Sequence, residues 1–535
     1  MVRVGSFAGR NMRQPVLVAC FFLFVSIVSN GQIKQVERWE REQKNSDNGW
    51  TIISMKDRGL ALVRDKEKFL EGQKMFQIQL LDTLLKEKDN IEFGVPVRMK
   101  LIGYEYTGTH LYILLRGGDS DLAEVLLIET DLSNNAIERY EIKHEFNFRL
   151  THFSVLDRHA IFGGYVSREP AVLIYDIFEN QLKVVPGFFT SDTELLDLRI
   201  NENGTFNTLV TNRSTRQNKS LLLRTFDAAG TQLMEDEIPI DQNKTILSGL
   251  TSALVRDELL IAGTYSVGNS KMASGFFSVL ADPFKEQPIH YYDFAQLNHF
   301  LDYLNARRAD KIKANSRRFR EKSKDPEFRA NVSNVRLEER AAGFYLLAEA
   351  YNTVTASNGG PYPYGGTYPG YYSPYGGMYG YSPFASRYYN SPYNYYNQPV
   401  RNDVSMLSTS VLAFNADGKL DWDHSLKVDD ERKPALEQAA DFWCDRNKIV
   451  IATKTESDLV VKARFKNNET AGDTIKVLMR KPTDVVKEDT DDEGGVRHWF
   501  GNKFYVWGYQ TVKDPEMKFE DRNRSVFYII KVDAY

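Results

Sequence analysis

A short run of Leu, Ile, Val and Phe, closed by an acidic or amide residue and a turn, recurs along the chain. The first five copies are Phe76–Asp82 (FQIQLLD), Val125–Asp131 (VLLIETD), Val172–Asp176 (VLIYD), Leu221–Asp227 (LLLRTFD) and Phe276–Asp282 (FFSVLAD). Their closing aspartates lie 45–55 residues apart. Val411–Asp417 (VLAFNAD) follows after a long insertion, then Leu459–Asn467 (LVVKARFKN), and Phe527–Asp533 (FYIIKVD) ends the protein. Apolar runs of this length bounded by turn residues read as buried strands.

The surroundings of each copy repeat too. Upstream lies a pair of apolar runs, such as Leu101–Tyr106 and His110–Leu115, Leu254–Ala262, or Trp443–Ala452. Downstream lies a turn and one more short strand, such as Asn134-Asn135 before Ile137–Ile142 and Ala229-Gly230 before Gln232–Ile240. Asp417-Gly418 between alternating runs is a strong hairpin signal. Four short strands per repeat, about eight times over, predict an all-β chain folded as a β-propeller. Eight blades are expected. Seven is the runner-up if the first repeat is mere packing, and two β-sandwiches are the alternative architecture. The last repeat stops after its third strand, so a segment near Ile33–Trp39 is expected to supply the fourth and close the ring.

Val411–Trp422 (VLAFNADGKLDW) resembles the repeat of quinoprotein-type (PQQ-like) propellers, with an apolar strand, an Asp-Gly-Lys turn and then Trp; Phe226–Leu233 (FDAAGTQL) matches it more loosely. The whole chain also resembles exported β-propeller-like proteins of Bacteroidota. Quinoprotein enzymes imply a bound quinone and calcium, but no stretch matches their cofactor pocket, so no cofactor is expected. The resemblance implies the fold and kinship to non-enzymatic envelope scaffolds.

The N-terminus changes the compartment. Arg3, Arg10 and Arg13 precede an apolar run of 13 residues, Val16–Val28, followed by Ser29-Asn30-Gly31. This pattern predicts a signal peptide over residues 1–31 and a mature domain over 32–535, exported to the periplasm, the outer membrane or the exterior. An uncleaved anchor and lipidation at Cys20, in Leu17-Val18-Ala19-Cys20, are the alternatives. No later segment is apolar and long enough to span a membrane. Cleavage removes three arginines and no acid, taking the net charge from −4 to −7, which speaks against nucleic acid as a partner. Cys444 is then the single cysteine, excluding an internal disulfide and a cysteine-based zinc site. In Asp441-Phe442-Trp443-Cys444 it reads as a small buried hydrophobe.

Two insertions interrupt the repeat. The first, residues 294–330, carries Leu297, Phe300, Leu301, Leu304 and Ile312 at helical spacing, with a stop expected at Asp325-Pro326. From Arg307 to Arg329 it holds ten basic residues, among them Arg307, Arg308, Arg317 and Arg318, against four acidic ones. It reads either as a docking helix for an anionic partner or as a solvated helix seated on the ring. The second insertion, residues 357–402, holds thirteen of the 29 tyrosines, including Tyr362, Tyr364, Tyr368, Tyr371, Tyr372, Tyr375, Tyr379 and Tyr381, amid Gly, Pro, Ser and Asn. Such a segment buries no core but offers many amphipathic rings for contact. Phe344–Ala350 and Met406–Phe414 flank it as paired strands, which places it between the second and third strands of one blade.

Catalytic signatures are absent from the sequence: no Gly-x-Ser-x-Gly, His-Glu-x-x-His, Walker loop or dinucleotide fingerprint occurs. The eight histidines show no metal-ligand spacing, and His152 and His159 fall on opposite arms of a hairpin. Asp489–Gly494 has glycine where a calcium loop needs it, but Phe500 stands at the twelfth position, so it reads as a solvated acidic loop and no metal is expected. The sequence therefore predicts a non-enzymatic exported scaffold or binding protein, presenting loops to a protein or glycan of the cell envelope. The alternative is a propeller enzyme acting on glycans or peptides, with its site in the central funnel.

Overall fold

A computed structural model describes residues 33–535, apart from 356–401 and short stretches at 44–47, 119, 121, 189–192, 213–218, 255–257, 269, 341–342, 429–431, 434–435, 446–447, 456–457, 466–467, 470–471 and 517–522. The described strands form eight antiparallel sheets of four or five strands. Blade 1 comprises Thr51–Ser54, Leu60–Leu70, Gln73–Leu81 and Glu87–Val95; blade 2, Met99–Tyr106, His110–Gly117, Val125–Asp131 and Ala136–Ile142. Blade 3 comprises Phe148–Leu156, His159–Val166, Glu169–Asp176 and Gln181–Val184; blade 4, Thr193–Ile200, Thr205–Asn212, Ser220–Asp227 and Gln232–Pro239. Blade 5 runs through Lys244–Thr251, Leu259–Val267, Gly275–Ala281 and His290–Asp293, so its first strand lies upstream of Leu254 and its second starts at Leu259, later than the expected run Leu254–Ala262. Blade 6 comprises Asn331–Arg340, Gly343–Thr355, Asn402–Phe414 and Leu420–Lys427; blade 7, Ala440–Cys444, Lys448–Thr455, Asp458–Phe465 and an outer edge split into Asn468–Glu469 and Asp473–Lys476. Blade 8 takes Val485–His498, Lys503–Lys513 and Asn523–Ala534 from the C-terminus and Ile33–Glu42 from the N-terminus.

Eight apolar clusters join these sheets in pairs. One links Phe76 and Ile78 of blade 1 to Leu111 and Ile128 of blade 2, another Leu127 of blade 2 to Phe162 of blade 3. The series continues through blades 3–4, 4–5, 5–6, 6–7 and 7–8. Trp39, Phe527 and Ile529 of blade 8 then meet Trp50, Leu60 and Leu62 of blade 1, which closes the ring. Eight blades with eight shared interfaces are an eight-bladed propeller. Each blade is buried on both sides, so its second and third strands carry nearly unbroken apolar runs. In Val125–Asp131 the first six residues are all buried, whereas outer strand Ala136–Ile142 is largely exposed.

All eight copies of the repeat are third strands, with Leu127, Leu173, Leu222 and Phe277 among them. The recurring aspartate accepts backbone N–H groups of the turn into the fourth strand. Asp82 Oδ1 accepts from Leu84 and Lys86 (2.8 and 2.9 Å), Asp131 from Ser133 (2.8 Å), Asp176 from Phe178 and Glu179 (both 2.9 Å), and Asp227 from Thr231 (2.7 Å). A short side-chain acceptor at the strand's end thus imitates a backbone turn. In the sixth copy this acceptor is Asn415, bonded to the amides of Asp417 and Lys419 (both 3.0 Å), and not Asp417 itself.

The N-terminal strand closes the ring as expected. Ile33 pairs with Ala534 and Glu42 with Val526. An ion network reinforces this edge: Glu40 accepts from Arg524 (2.7 Å) and Arg38 (2.9 Å), and Arg524 also reaches Asp484 (2.6 Å). Asp489–Gly494 is no free acidic loop. It belongs to the long first strand of blade 8, interrupted by a bulge between Thr490 and Gly495, and Asp489 pairs with Lys454 (3.2 Å) and Gln510 (2.7 Å).

Candidate functional site

Both insertions leave blade 6 at the same end. Asn331, where the first insertion rejoins the sheet, pairs with Tyr351, and the second insertion departs four residues later, where Thr355 pairs with Asn402. The strand therefore resumes at Asn402, one residue inside the boundary drawn from composition. The two arms, Gly343–Thr355 and Asn402–Phe414, outreach the first strand, and Arg432–Lys433 adds a fifth partner alongside Val404 and Ser405. Val404, Met406, Val428 and Ala439 form a small apolar cluster beneath them. The eight tyrosines named above lie outside the described residues.

The first insertion fills the widening wedge between blades 5 and 6, where the outer strand of blade 5 is only four residues long. Phe294, Leu297, Phe300 and Leu301 are buried there, before the helix and not along it. Phe294 and Phe300 stack at 4.2 Å. The buried carboxylate of Asp423 in blade 6 accepts the amides of Asn298, His299 and Phe300 (2.7–3.1 Å), holding this turn in place. Helix α1, Ala306–Glu321, begins at the N-cap Asn305, whose side chain accepts from the Arg308 amide (2.9 Å). It ends at Lys322 and Ser323, the latter with φ of 53°, ahead of the expected stop. Asp325 instead ties the chain back to Lys244 of blade 5 (2.6 Å).

Helix α1 is docked by one narrow face. Ser316 donates to Asp293 (2.9 Å), Arg320 pairs with the same carboxylate (3.3 Å), and Lys313 donates to the Asn298 carbonyl (2.9 Å). Arg307, Arg308, Arg317 and Arg318 are all exposed, but they do not share one stripe. At 100° per residue, Arg307, Lys311, Arg318 and Lys322 fall in line on the outward side with Arg308 beside them, while Arg317 lies on the flank that carries Asp310 and Glu321. Composition missed Lys311 and Lys322; their helical spacing from Arg307 and Arg318 was the available signal.

The first strands of neighbouring blades touch one another and line the axis. Arg199 of blade 4 donates to Thr251 O of blade 5 (2.6 Å) and, past it, to Leu337 O of blade 6 (3.1 Å). Asp197 accepts from the Thr251 amide and hydroxyl (both 2.7 Å); burial pushes its carboxyl up, partly countered by Arg199. Arg336 pairs with Asp441 (2.9 Å) and Glu338 (3.4 Å), and Arg340 with Glu338 (3.0 Å). Burial opposes ionisation of Glu338, but its two arginines outweigh burial and hold its carboxyl below the usual range. The His498 amide donates to Asp441 (2.8 Å), and burial with Arg336 nearby lowers the imidazole's affinity for protons. These charges neutralise one another across the inner wall.

Glu105, on the first strand of blade 2, differs. Protein surrounds it while one side keeps contact with solvent, and desolvation pushes its carboxyl up to about 8. His152 is buried and pushed down to about 4 by desolvation, so it is neutral; His159 sits across the hairpin beside Asp176 (3.6 Å). Cys444 is buried, with its thiol pushed up to about 12 by desolvation, which makes it unreactive at neutral pH. Among the described residues no cluster of three or more His, Cys, Asp or Glu side chains is placed to hold a metal ion, and no helix is long and apolar enough to cross a membrane.

No family model matches the chain, and no curated protein matches it. Among solved structures, the chain is similar to the polysaccharide lyase Uly1 at 10% identity and a TM-score of 0.36, over 90% of this chain and 99% of that one. It is similar to the β-propeller domain of the Trilobed protease from Pyrococcus furiosus at 10% identity and a TM-score of 0.32, over 78% and 97%. A prolyl endopeptidase gives 10% identity and a TM-score of 0.37, over 90% of this chain and 54% of that one. At these values none of them assigns an activity to this chain.

Proposed function

We propose that the protein is a non-enzymatic, exported propeller that binds a protein or glycan of the cell envelope through the end of the ring where blades 5 and 6 carry their insertions. The observation that carries this reading is the shared departure point: the chain re-enters blade 6 from the basic insertion at Asn331, opposite Tyr351, and leaves for the tyrosine-rich segment at Thr355. The basic insertion's return to the sheet and the points where the tyrosine-rich segment leaves and rejoins it thereby share one end of blade 6, and the ring beneath is closed. The tyrosines provide amphipathic contact area, and the arginines provide charge.

The inner wall supports the same reading. A hydrolase or lyase built on a propeller needs acid, base or metal-binding groups free to meet substrate in the funnel. Here Asp197, Arg199, Arg336, Glu338, Arg340 and Asp441 are committed to one another or to backbone, and Glu105 of blade 2 is the exception. Capture from envelope extract by the full chain, and by a chain with residues 357–401 replaced by a short Gly-Ser turn, tests the binding role. Loss of capture with folding intact supports it; equal capture refutes the part given to the tyrosines. Export predicts a native N-terminus near Gln32, and N-terminal sequencing that finds Met1 or a lipid-modified Cys20 overturns it.

A further inference from the structure

We infer that the outward stripe of helix α1 is a docking rail for a linear polyanionic glycan, one bearing carboxylate or sulfate groups along its chain. This rests on the reading above that this end of the ring is the binding end, and it names the partner's chemistry.

The stripe consists of Arg307, Lys311, Arg318 and Lys322, at intervals of four, seven and four residues, with Ala314 between the middle pair. On a helix rising 1.5 Å per residue it runs about 22 Å along one side. Arg308 borders it on one side, and Asp310 and Glu321 border it on the other, three residues on from Arg307 and Arg318 respectively, with Arg317 beyond them. Neither an ion pair nor a side-chain hydrogen bond joins the five cations to any described residue, in contrast to Arg320, held by Asp293, and Lys313, held by the Asn298 carbonyl. The chain as a whole is net acidic, so the stripe is a local reversal that collects anions.

Helix energetics suit Arg318 and Lys322 at the C-terminal end but would not place Arg307 and Arg308 at the start. The first turn holds Arg307 and Arg308 and no acidic residue, whereas the positive end of the helix dipole favours acids there. A local rule broken with no compensating contact marks a position kept for something other than stability.

The helix's other faces decide between partners. Interfacial helices reach a membrane by inserting apolar side chains beside their cations. In α1 Ala309 and Ile312 pack inward against the seam of blades 5 and 6, the half-buried Phe319 lies on the flank beyond Arg308, and the stripe itself carries nothing apolar larger than Ala314. Protein interfaces need buried aromatic or aliphatic anchors, which this face also lacks. A row of long, fully charged side chains on a rigid rod fits a partner recognised by charge alone and extended along one direction. A polyanionic glycan is such a partner.

The test uses the full chain and polygalacturonate as probe, with dextran as the neutral control. Binding to polygalacturonate is expected, weakening as salt rises from roughly 50 to 200 mM, with none to dextran. Each exposed ion pair is worth a factor of about 1.4 to 5. The variant R307Q/K311Q/R318Q/K322Q should therefore lose roughly tenfold or more in affinity, and R317Q less than about twofold. If the quadruple variant folds poorly, R307Q/K311Q alone should still lose several-fold, with an unchanged circular dichroism spectrum. Equal binding by wild type and quadruple variant overturns the inference. So does tighter binding to phosphatidylglycerol vesicles, which would indicate a membrane, or to polyglutamate, which would indicate an acidic protein. If the quadruple variant still captures its envelope partner while the chain lacking residues 357–401 does not, the rail is wrong and the binding end stands.

Discussion

Closure of the ring depends on Glu40, and removing its carboxylate tests that directly. Glu40 lies on the N-terminal strand with its side chain almost wholly buried, between Arg38 of its own strand and Arg524 of the C-terminal strand. Deleting one member of a buried ion pair costs about 3–5 kcal/mol, because the partner is left charged and poorly solvated. Arg524 keeps Asp484 at 2.6 Å and is partly exposed, and Arg38 keeps Gln510 at 3.0 Å and the Tyr528 ring at 4.4 Å. The low end applies, about 3 kcal/mol. With roughly 500 residues unfolding as a unit at about 2.1 cal/mol/K each, that loss lowers Tm by about 3 °C. Calorimetry on Glu40→Ala against wild type reads this, with Glu141→Gln as control, since the Lys143–Glu141 pair is exposed and contributes little. The pH dependence has a definite sign. Burial acts against the Glu40 carboxylate, but its arginines outweigh burial and hold it below the usual range. Its stabilisation is complete above the unfolded value of about 4.3 and fades as pH falls below it. The difference between wild type and Glu40→Ala should shrink in that acid window. A Tm change as small as that of Glu141→Gln would refute the view that this network locks the ring.

Three further outcomes follow from the same structure. Asp176→Ala removes the acceptor of two turn amides and should cost about 1 kcal/mol by denaturant titration, while Asp176→Asn, which keeps an acceptor, should cost less. Glu105 has the opposite sign to Glu40: its raised affinity for protons stabilises the fold below the unfolded value near ~4.3, and that contribution is lost as pH rises through about 8. Glu105→Gln should accordingly gain in Tm relative to wild type from acid to mildly alkaline pH; a constant difference would show that the carboxyl is not held neutral. Replacing residues 357–401 with a short Gly-Ser turn should leave Tm within a few degrees, because loop-closure entropy changes slowly with length; a collapse in Tm would reveal a structural element there.

The fold was legible where burial is two-sided. Third strands such as Val125–Asp131 and Gly275–Ala281 have neighbours on both faces, so their apolar runs are nearly unbroken, and each ends on an acceptor for the next turn. First strands are less legible because they line a polar axis: Lys244–Thr251 mixes Lys, Thr and Ser, and its apolar signal is weaker than that of the second strand Leu259–Val267. Leu297, Phe300 and Leu301 mimicked a helical stripe, yet a non-helical turn buries them because the wedge between two blades demands apolar filling. Asp489 read as solvated because its partner Lys454 comes from another blade. The basic insertion was legible by composition, but its geometry required knowing where the helix starts, which Asn305 fixes. That both insertions share one end follows from strand register, which local pattern does not reveal.

Hydrogen–deuterium exchange of the full chain, with and without solubilised envelope extract, tests the binding end most directly. The account predicts slowed exchange in residues 306–330 and in the hairpin arms at 350–355 and 402–408. Protection confined to the turns at the opposite end, Asp131–Ala136, Asp176–Gln181 and Asp227–Gln232, would contradict it.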